Sequence, residues 1–307
     1  MKYCFGVDVG GTTVKMGLFS PEGELFEKWE IRTRTEDEGK NVLPDIAASI
    51  RAKMEERGIS ASDTVGVGMG VPAPVKDGIV KNTANLGWGY KNVKKELEEL
   101  LPGIRARIGN DANVAALGEM WLGAGKGCQD MVMVTLGTGV GGGVICHGNI
   151  LDGAHGAGGE IGHICVNYEE TQACGCGRKG CLEQYASATG IARLARIRLS
   201  KPHGKTLLEG KNISAKTVFD AVKQGDETAT EIAEEFGRYL GYALANLAVV
   251  ADPERIVSGV SHAGEALLPF IEKPFREKAF FANMDTQIVL ATLGNDAGIC
   301  GAARLII

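Results

Sequence analysis

Short runs of apolar residues separated by glycine open the chain. Residues 3–9, 14–19 and 25–31 are rich in β-branched and aromatic side chains, and Gly10-Gly11-Thr12-Thr13 joins the first two runs, so they predict a three-stranded meander around a glycine turn. Ile46, Ile50 and Met54 then recur at four-residue spacing and predict a helix over about 42–57, followed by a strand over 64–69 that leads into Val71-Pro72-Ala73-Pro74. A helix over 91–101, a strand over 104–108 and a helix over 112–122 continue the alternation, which places Asp111 at the carboxyl end of a strand. At Asp130 the plan restarts: strand 131–136, the turn Gly137-Thr138-Gly139-Val140-Gly141-Gly142-Gly143, and a strand over 144–146. The two openings match in design, so the chain reads as two related α/β halves. Residues 151–185 are irregular. Helices are predicted over 188–199, 217–223 and 228–250, a strand over 255–258, a helix from 263, a strand over 287–293 and a last helix after Gly294-Asn295-Asp296 that returns to the first half.

A chain of 307 residues suits two domains at about 150 residues each. Lys and Arg number 33 against 38 Asp and Glu, a net of −5, and no basic block occurs, so a nucleic-acid groove has no electrostatic footprint. The 44 glycines are clustered and prolines number only 9, which excludes collagen-like and disordered chains. The longest apolar stretch, 242–251, falls well short of the ~18 residues that cross a bilayer, and Asp8 interrupts any signal-peptide core. A cytoplasmic protein with no membrane partner is expected.

Two Gly-Thr turns, each between strands, suggest a phosphate site: bare backbone N–H groups approach an anion and threonine hydroxyls donate from the side. Taken singly, each reads as a plain hairpin turn; their recurrence favours the phosphate reading. No Walker motif occurs, and Gly137-x-Gly139-x-x-Gly142 is followed by strand-forming Val144-Ile145-Cys146 where a dinucleotide fold needs a helix. Asp8, just before the first turn, suits Mg²⁺. Cys174-x-Cys176 and Cys181, with His163 upstream, form a Cys₃His set for a structural Zn²⁺, against the blander reading of fortuitous cysteines. Glu160 and Glu183 flank this set and are candidates for binding a ligand's hydroxyls, or else solvated surface carboxylates. Asp111 reads equally as a helix N-cap and as a general base, since a carboxylate at its ordinary pKa of ~3.9 is ionised at neutral pH; Asp296 stands in a similar Asn-Asp context.

In order along the chain, Asp8-x-Gly-Gly-Thr, the Gly137 turn, Gly-Gly-Glu160-Ile-Gly-His163 and Cys174-x-Cys-Gly-x-x-Gly-Cys181-x-Glu183 resemble the ROK family of bacterial sugar kinases and sugar-responsive repressors. The resemblance runs from residue 3 to 304, and the stretch from Asn110 to Trp121 is similar to that of the family's bacterial glucokinases. It implies an actin-like ATPase (ribonuclease H-like) fold of two similar α/β domains with a cleft between them: 1–112 plus 294–307, and 113–293 carrying the zinc loop and dimerisation helices. It further implies that Asp111, not Asp296, is the general base, and that Asn110, Glu160, His163 and Glu183 hold the sugar, His163 also serving zinc. Asp8, Gly10, Gly11, Thr12, Thr13 and Lys15, together with Gly137, Thr138 and Gly139, would hold the phosphates of Mg²⁺-ATP, with Gly259 on the adenosine side. The expected reaction is ATP-dependent conversion of glucose to glucose 6-phosphate by a homodimer or higher oligomer. The alternatives are an N-acylhexosamine kinase acting on N-acetylmannosamine or N-acetylglucosamine, or a sugar-sensing member that does not bind DNA. A repressor would need a helix-turn-helix ahead of Asp8. Two departures stand out: Val71-Pro72-Ala73 replaces the family's Gly-Pro-Gly, and the turn at Ser258-Gly259 before Val260-Ser261 is short, which leaves nucleotide preference open.

Overall fold

The computed structural model describes residues 1–83, 85–260 and 264–307. The helix start expected at 263 and the Ser261 side of the short turn lie outside them. Strands β1 (Tyr3–Val9), β2 (Thr13–Phe19) and β3 (Leu25–Arg32) form the opening meander; then come α1 (Glu36–Gly39), α2 (Val42–Arg57) and β4 (Thr64–Val71). A small sheet of β5 (Val75–Lys76), β6 (Ile79–Val80) and β7 (Lys91–Asn92) precedes α3 (Val93–Leu100), β8 (Ala106–Asn110) and α4 (Asp111–Leu122). Helix α3 starts later than predicted because Asn92 pairs with β6 and its side chain caps the helix, accepting from the Lys95 N–H at 3.0 Å.

The second series begins with β9 (Met131–Leu136), β10 (Val140–Cys146) and β11 (Asn149–Ile150). It continues through α5 (Glu183–Ala186), α6 (Ala188–Leu199), α7 (Ala215–Val222) and α8 (Glu227–Ala251) to β12 (Arg255–Val260), α9 (Leu268–Lys278), β13 (Gln287–Leu290) and α10 (Ala297–Ile306). The two large sheets have orders β3-β2-β1-β4-β8 and β11-β10-β9-β12-β13, the same sequence of roles in each. In both, an antiparallel hairpin edge gives way to parallel neighbours reached through helical crossovers, as parallel pairing requires.

Contacts divide the chain into two compact units: 1–127, 143–159 and 292–307, and 128–142 with 160–291. In the first unit the alternation of β1 sends Phe5, Val7 and Val9 into a core with α2 and α3, while Cys4 packs with Ile299, Cys300 and Ala303 of α10. Gly6 lets α10 come down on this second face, where a Cβ would lie 2.0 Å from the Ile299 carbonyl oxygen. Helix α4, which the sequence boundary after 112 assigns to the second domain, packs on α10 in the first unit, Gly301 lying against the Val114 carbonyl. Strand β13 also ends earlier than predicted, at Leu290, because the N–H groups of Thr292 and Leu293 turn to the Glu119 carboxylate.

Candidate active site

In the first unit the Gly10 N–H donates to the Thr13 carbonyl at 3.1 Å and closes the β1–β2 turn, while the Thr33 hydroxyl holds the Gly10 carbonyl at 2.7 Å. Gly11 and Thr12 between them are exposed, which leaves a tight, externally braced turn at the surface. Asp8 lies on the α10 face of β1, close enough to the start of that helix that a Cβ on Gly298 would come within 2.5 Å of its carboxyl group. Burial raises its pKa, and Lys15 partly opposes the rise. The sequence gives Asp8 no basic neighbour; strand pairing supplies Lys15 directly opposite, its ammonium donating to the Asn295 carbonyl at 3.4 Å.

At the end of β8 the two readings of Asn110-Asp111 separate. Asn110 is the N-cap: its Oδ1 accepts from the N–H groups of Ala112 at 3.0 Å and Asn113 at 3.1 Å, and its amide donates to the Ala73 carbonyl. Asp111 stands at the first helical position of α4, half-buried, with Oδ1 also accepting from Ala112 N–H at 2.8 Å. The capping duty that competed with a chemical role for Asp111 thus falls mainly to its neighbour, and the start of α4 favours negative charge at that point. Asp296 instead pairs with Lys28 at 2.7 Å.

In the second unit the glycine turn after β9 is held by the chain that follows the cysteine loop. Ala188 N–H donates to the Gly137 carbonyl at 2.8 Å and the Thr189 hydroxyl to the Thr138 carbonyl at 2.9 Å. Val140 N–H donates to Glu183 Oε2 at 3.0 Å, and a Cβ on Gly139 would sit 2.3 Å from that oxygen, so a side chain there would displace the Glu183 carboxylate. The other oxygen of Glu183 accepts from the Cys174 thiol at 3.5 Å. Glu183, read from sequence as a sugar ligand, therefore joins the phosphate-type turn to the cysteine loop. Gly259 pairs with Thr135 across β9 and β12.

The donor atoms of His163, Cys174, Cys176 and Cys181 all lie within 4.8 Å of one another, with 3.7 Å between the sulfurs of Cys176 and Cys181. Four ligands about 2.3 Å from a tetrahedral zinc stand about 3.8 Å apart, so the donor set fits. His163 Nδ1 is buried without a hydrogen-bond partner, and burial, with Cys176 and Cys174 beside it, pushes the Cys181 thiol up to about 12. Thiols so placed ionise together only with a cation among them. Glu160 precedes the set, its carbonyl accepting from His163 N–H at 3.1 Å.

Sequence patterning missed a cavity of about 430 Å³ beside Thr138, lined by Leu136, Ala188, Ile191, Phe219 and Leu267 among others. Its residues sit at helical spacing on α6 and α7, where the pattern signals core, and only their adjacency to a phosphate-type turn marks a ligand pocket. Also missed was the brace behind the cysteine loop: Glu170 accepts from the Tyr185 hydroxyl and from Arg193 at 2.5 Å each.

The chain matches the ROK family over residues 4–307 and belongs to it. It is 43% identical over 316 residues to a glucokinase of Halalkalibacterium halodurans, covering 99% of this chain and 95% of the relative. An N-acetyl-D-glucosamine kinase of Histophilus somni is more distant, 29% identical with 98% of each chain covered. The crystal structure of a ROK family glucokinase from Streptomyces griseus in complex with glucose and AMPPNP matches with a TM-score of 0.76 at 35% identity, covering 99% of this chain and 98% of that one. The α/β architecture is accordingly of the actin-like ATPase type.

Proposed function

We infer that this chain is a glucokinase: it transfers the terminal phosphoryl group of ATP to glucose, giving glucose 6-phosphate and ADP. The 43% identity to a glucokinase across 99% of the chain carries this reading. The site supports a division of labour. The C6 hydroxyl of glucose gives its proton to the Asp111 carboxylate as its oxygen attacks the γ-phosphorus, the new O–P bond forms, and the bond to the β-phosphate oxygen breaks. Asn110, Glu160 and His163 are the proposed sugar ligands. Glu183 serves the phosphate turn, and its role toward the sugar is exercised through that turn. The two Gly-Thr turns receive phosphate oxygens, and the cavity beside Thr138 receives the nucleoside.

Mg²⁺ bound with ATP neutralises charge on the phosphates, and Asp8 is the carboxylate this chain offers to hold it, directly or through water. Its place on β1 immediately before the first Gly-Thr turn, beside Gly298 at the start of α10, supports this. His163 and the three cysteines are proposed to hold a structural Zn²⁺ that leaves no open position, and its thiolates suit a reducing cytoplasm. Among the described residues no helix is long and apolar enough to cross a membrane. Self-association is supported by exposed apolar side chains where α8 ends near 280–284, Val250 at 85% and Phe281 at 76% exposure among them, with Asn283 tied to Asp252.

ADP release measured with glucose, mannose, fructose, N-acetylglucosamine and N-acetylmannosamine tests the assignment. Glucose is expected to lead the N-acetyl sugars in kcat/KM by about tenfold or more. An N-acetyl sugar in first place would move the chain to the hexosamine kinases.

A further inference from the structure

Helix α4 carries two buried polar side chains that the reaction as described does not use. Asn113, 2% exposed, donates from Nδ2 to the Gly158 carbonyl at 3.2 Å, and its Oδ1 is buried without a partner. Gly143 lies against it: a Cβ there would fall 3.2 Å from Asn113 Cα. Glu119, wholly buried, accepts from Ala124 N–H at 2.8 Å, from Thr292 N–H at 3.1 Å and from Leu293 N–H at 2.8 Å.

These contacts coincide with a property of the chain path. The chain leaves the first unit after Gly127, re-enters it at Gly143, leaves again after Gly159 and returns at Thr292. Ala124 stands just before the first of these passages, Gly143 is the second, Gly158 adjoins the third and Thr292 is the fourth. Each passage is thus fastened, or closely packed, to the same helix, two at Asn113 and two at Glu119. The first residue of α4 is Asp111.

Resting on the kinase reading, which puts the base in the first unit and the nucleotide pocket in the second, we propose that Asn113 and Glu119 are positioning residues for phosphoryl transfer. They tie the segments at Ala124, Gly158 and Thr292–Leu293 to the helix that begins with Asp111 and so hold the base in place within the first unit. Both side chains act on protein backbone, Asn113 on Gly158 and Glu119 on Ala124, Thr292 and Leu293. Burying a full carboxylate is costly, and three backbone donors on one Glu119 are the compensation. A glutamine would keep the shape but turn an NH₂ toward backbone N–H groups.

The test uses full-length enzyme and two variants, Glu119→Gln and Asn113→Ala, after wild-type phosphorylation of glucose has been confirmed. Failure at that first step would sink the kinase reading and leave the positioning role without a reaction. For each variant, thermal unfolding establishes that the protein is folded at the assay temperature, and ATP binding without sugar reports on the second unit. Expected are ATP affinity within about twofold of wild type, kcat lower by roughly ten- to a hundredfold, a raised KM for glucose, and more than one ADP released per glucose 6-phosphate formed. A role in stability alone would lower the melting temperature and leave kcat per folded enzyme, KM and the ADP ratio at wild-type values; that result in both variants would overturn the proposal. Should Glu119→Gln fail to fold, the same measurements on Asn113→Ala decide it.

Discussion

Three carboxylates of this chain owe their settings to what donates to them. Glu119 holds backbone N–H groups, Glu183 ties the Gly139 turn to Cys174, and Glu170 takes the Tyr185 hydroxyl, the Gln172 N–H and the Arg193 guanidinium. Burial alone would raise the Glu170 carboxyl, but these donors outweigh it and hold its pKa down to about 2. A depressed folded pKa contributes stability at and above the unfolded value of ~4.3, and that contribution is lost as pH falls towards about 2. Glu170→Gln should therefore destabilise the protein by about 1–3 kcal/mol at pH 7. In thermal unfolding followed against pH, the gap between the variant and wild type should narrow steadily below about pH 5. A gap of constant width would show that the carboxylate's charge is not what matters. Glu160 and Glu183 could be singled out in sequence because they adjoin a cysteine motif. Glu119 and Glu170 were not: Glu119 finds Thr292 and Leu293 only after α4 and α10 have packed, a pairing that no local spacing announces.

At the scale of elements, both glycine turns and most strands follow from alternation and turn chemistry, which are local. The departures have tertiary causes: Asn92 joining β6 delays α3, and Glu119 ends β13. The cysteine loop is the intermediate case, its candidate metal donors visible from spacing but its attachment to Gly139 visible only in three dimensions. The metal reading predicts about one equivalent of zinc per chain in purified protein, and removal by a chelator under reducing conditions should lower the melting temperature and open 164–182 to proteolysis. Metal-free protein with unchanged melting and protease resistance would remove zinc from the account.

For the whole molecule, the repeated Gly-Thr turns anticipate two sheets of one design, and the orders β3-β2-β1-β4-β8 and β11-β10-β9-β12-β13 have that design. Less legible was where the chain divides. A boundary drawn after residue 112 follows the strand–helix junction, whereas α4 packs with the carboxyl-terminal helix through contacts between residues far apart in sequence. The cavity beside Thr138 was hidden for a related reason, since an apolar helix face reads the same whether it meets protein or ligand. The central claim, that Asp111 takes the proton of the glucose hydroxyl during transfer, is tested by measuring glucose 6-phosphate formation and glucose binding together in Asp111→Asn and Asp296→Asn. The account predicts that Asp111→Asn binds glucose within a few-fold of wild type while kcat falls about 10²- to 10⁴-fold, and that Asp296→Asn keeps most of its turnover. Near-normal turnover in Asp111→Asn, or collapse in Asp296→Asn alone, would contradict it.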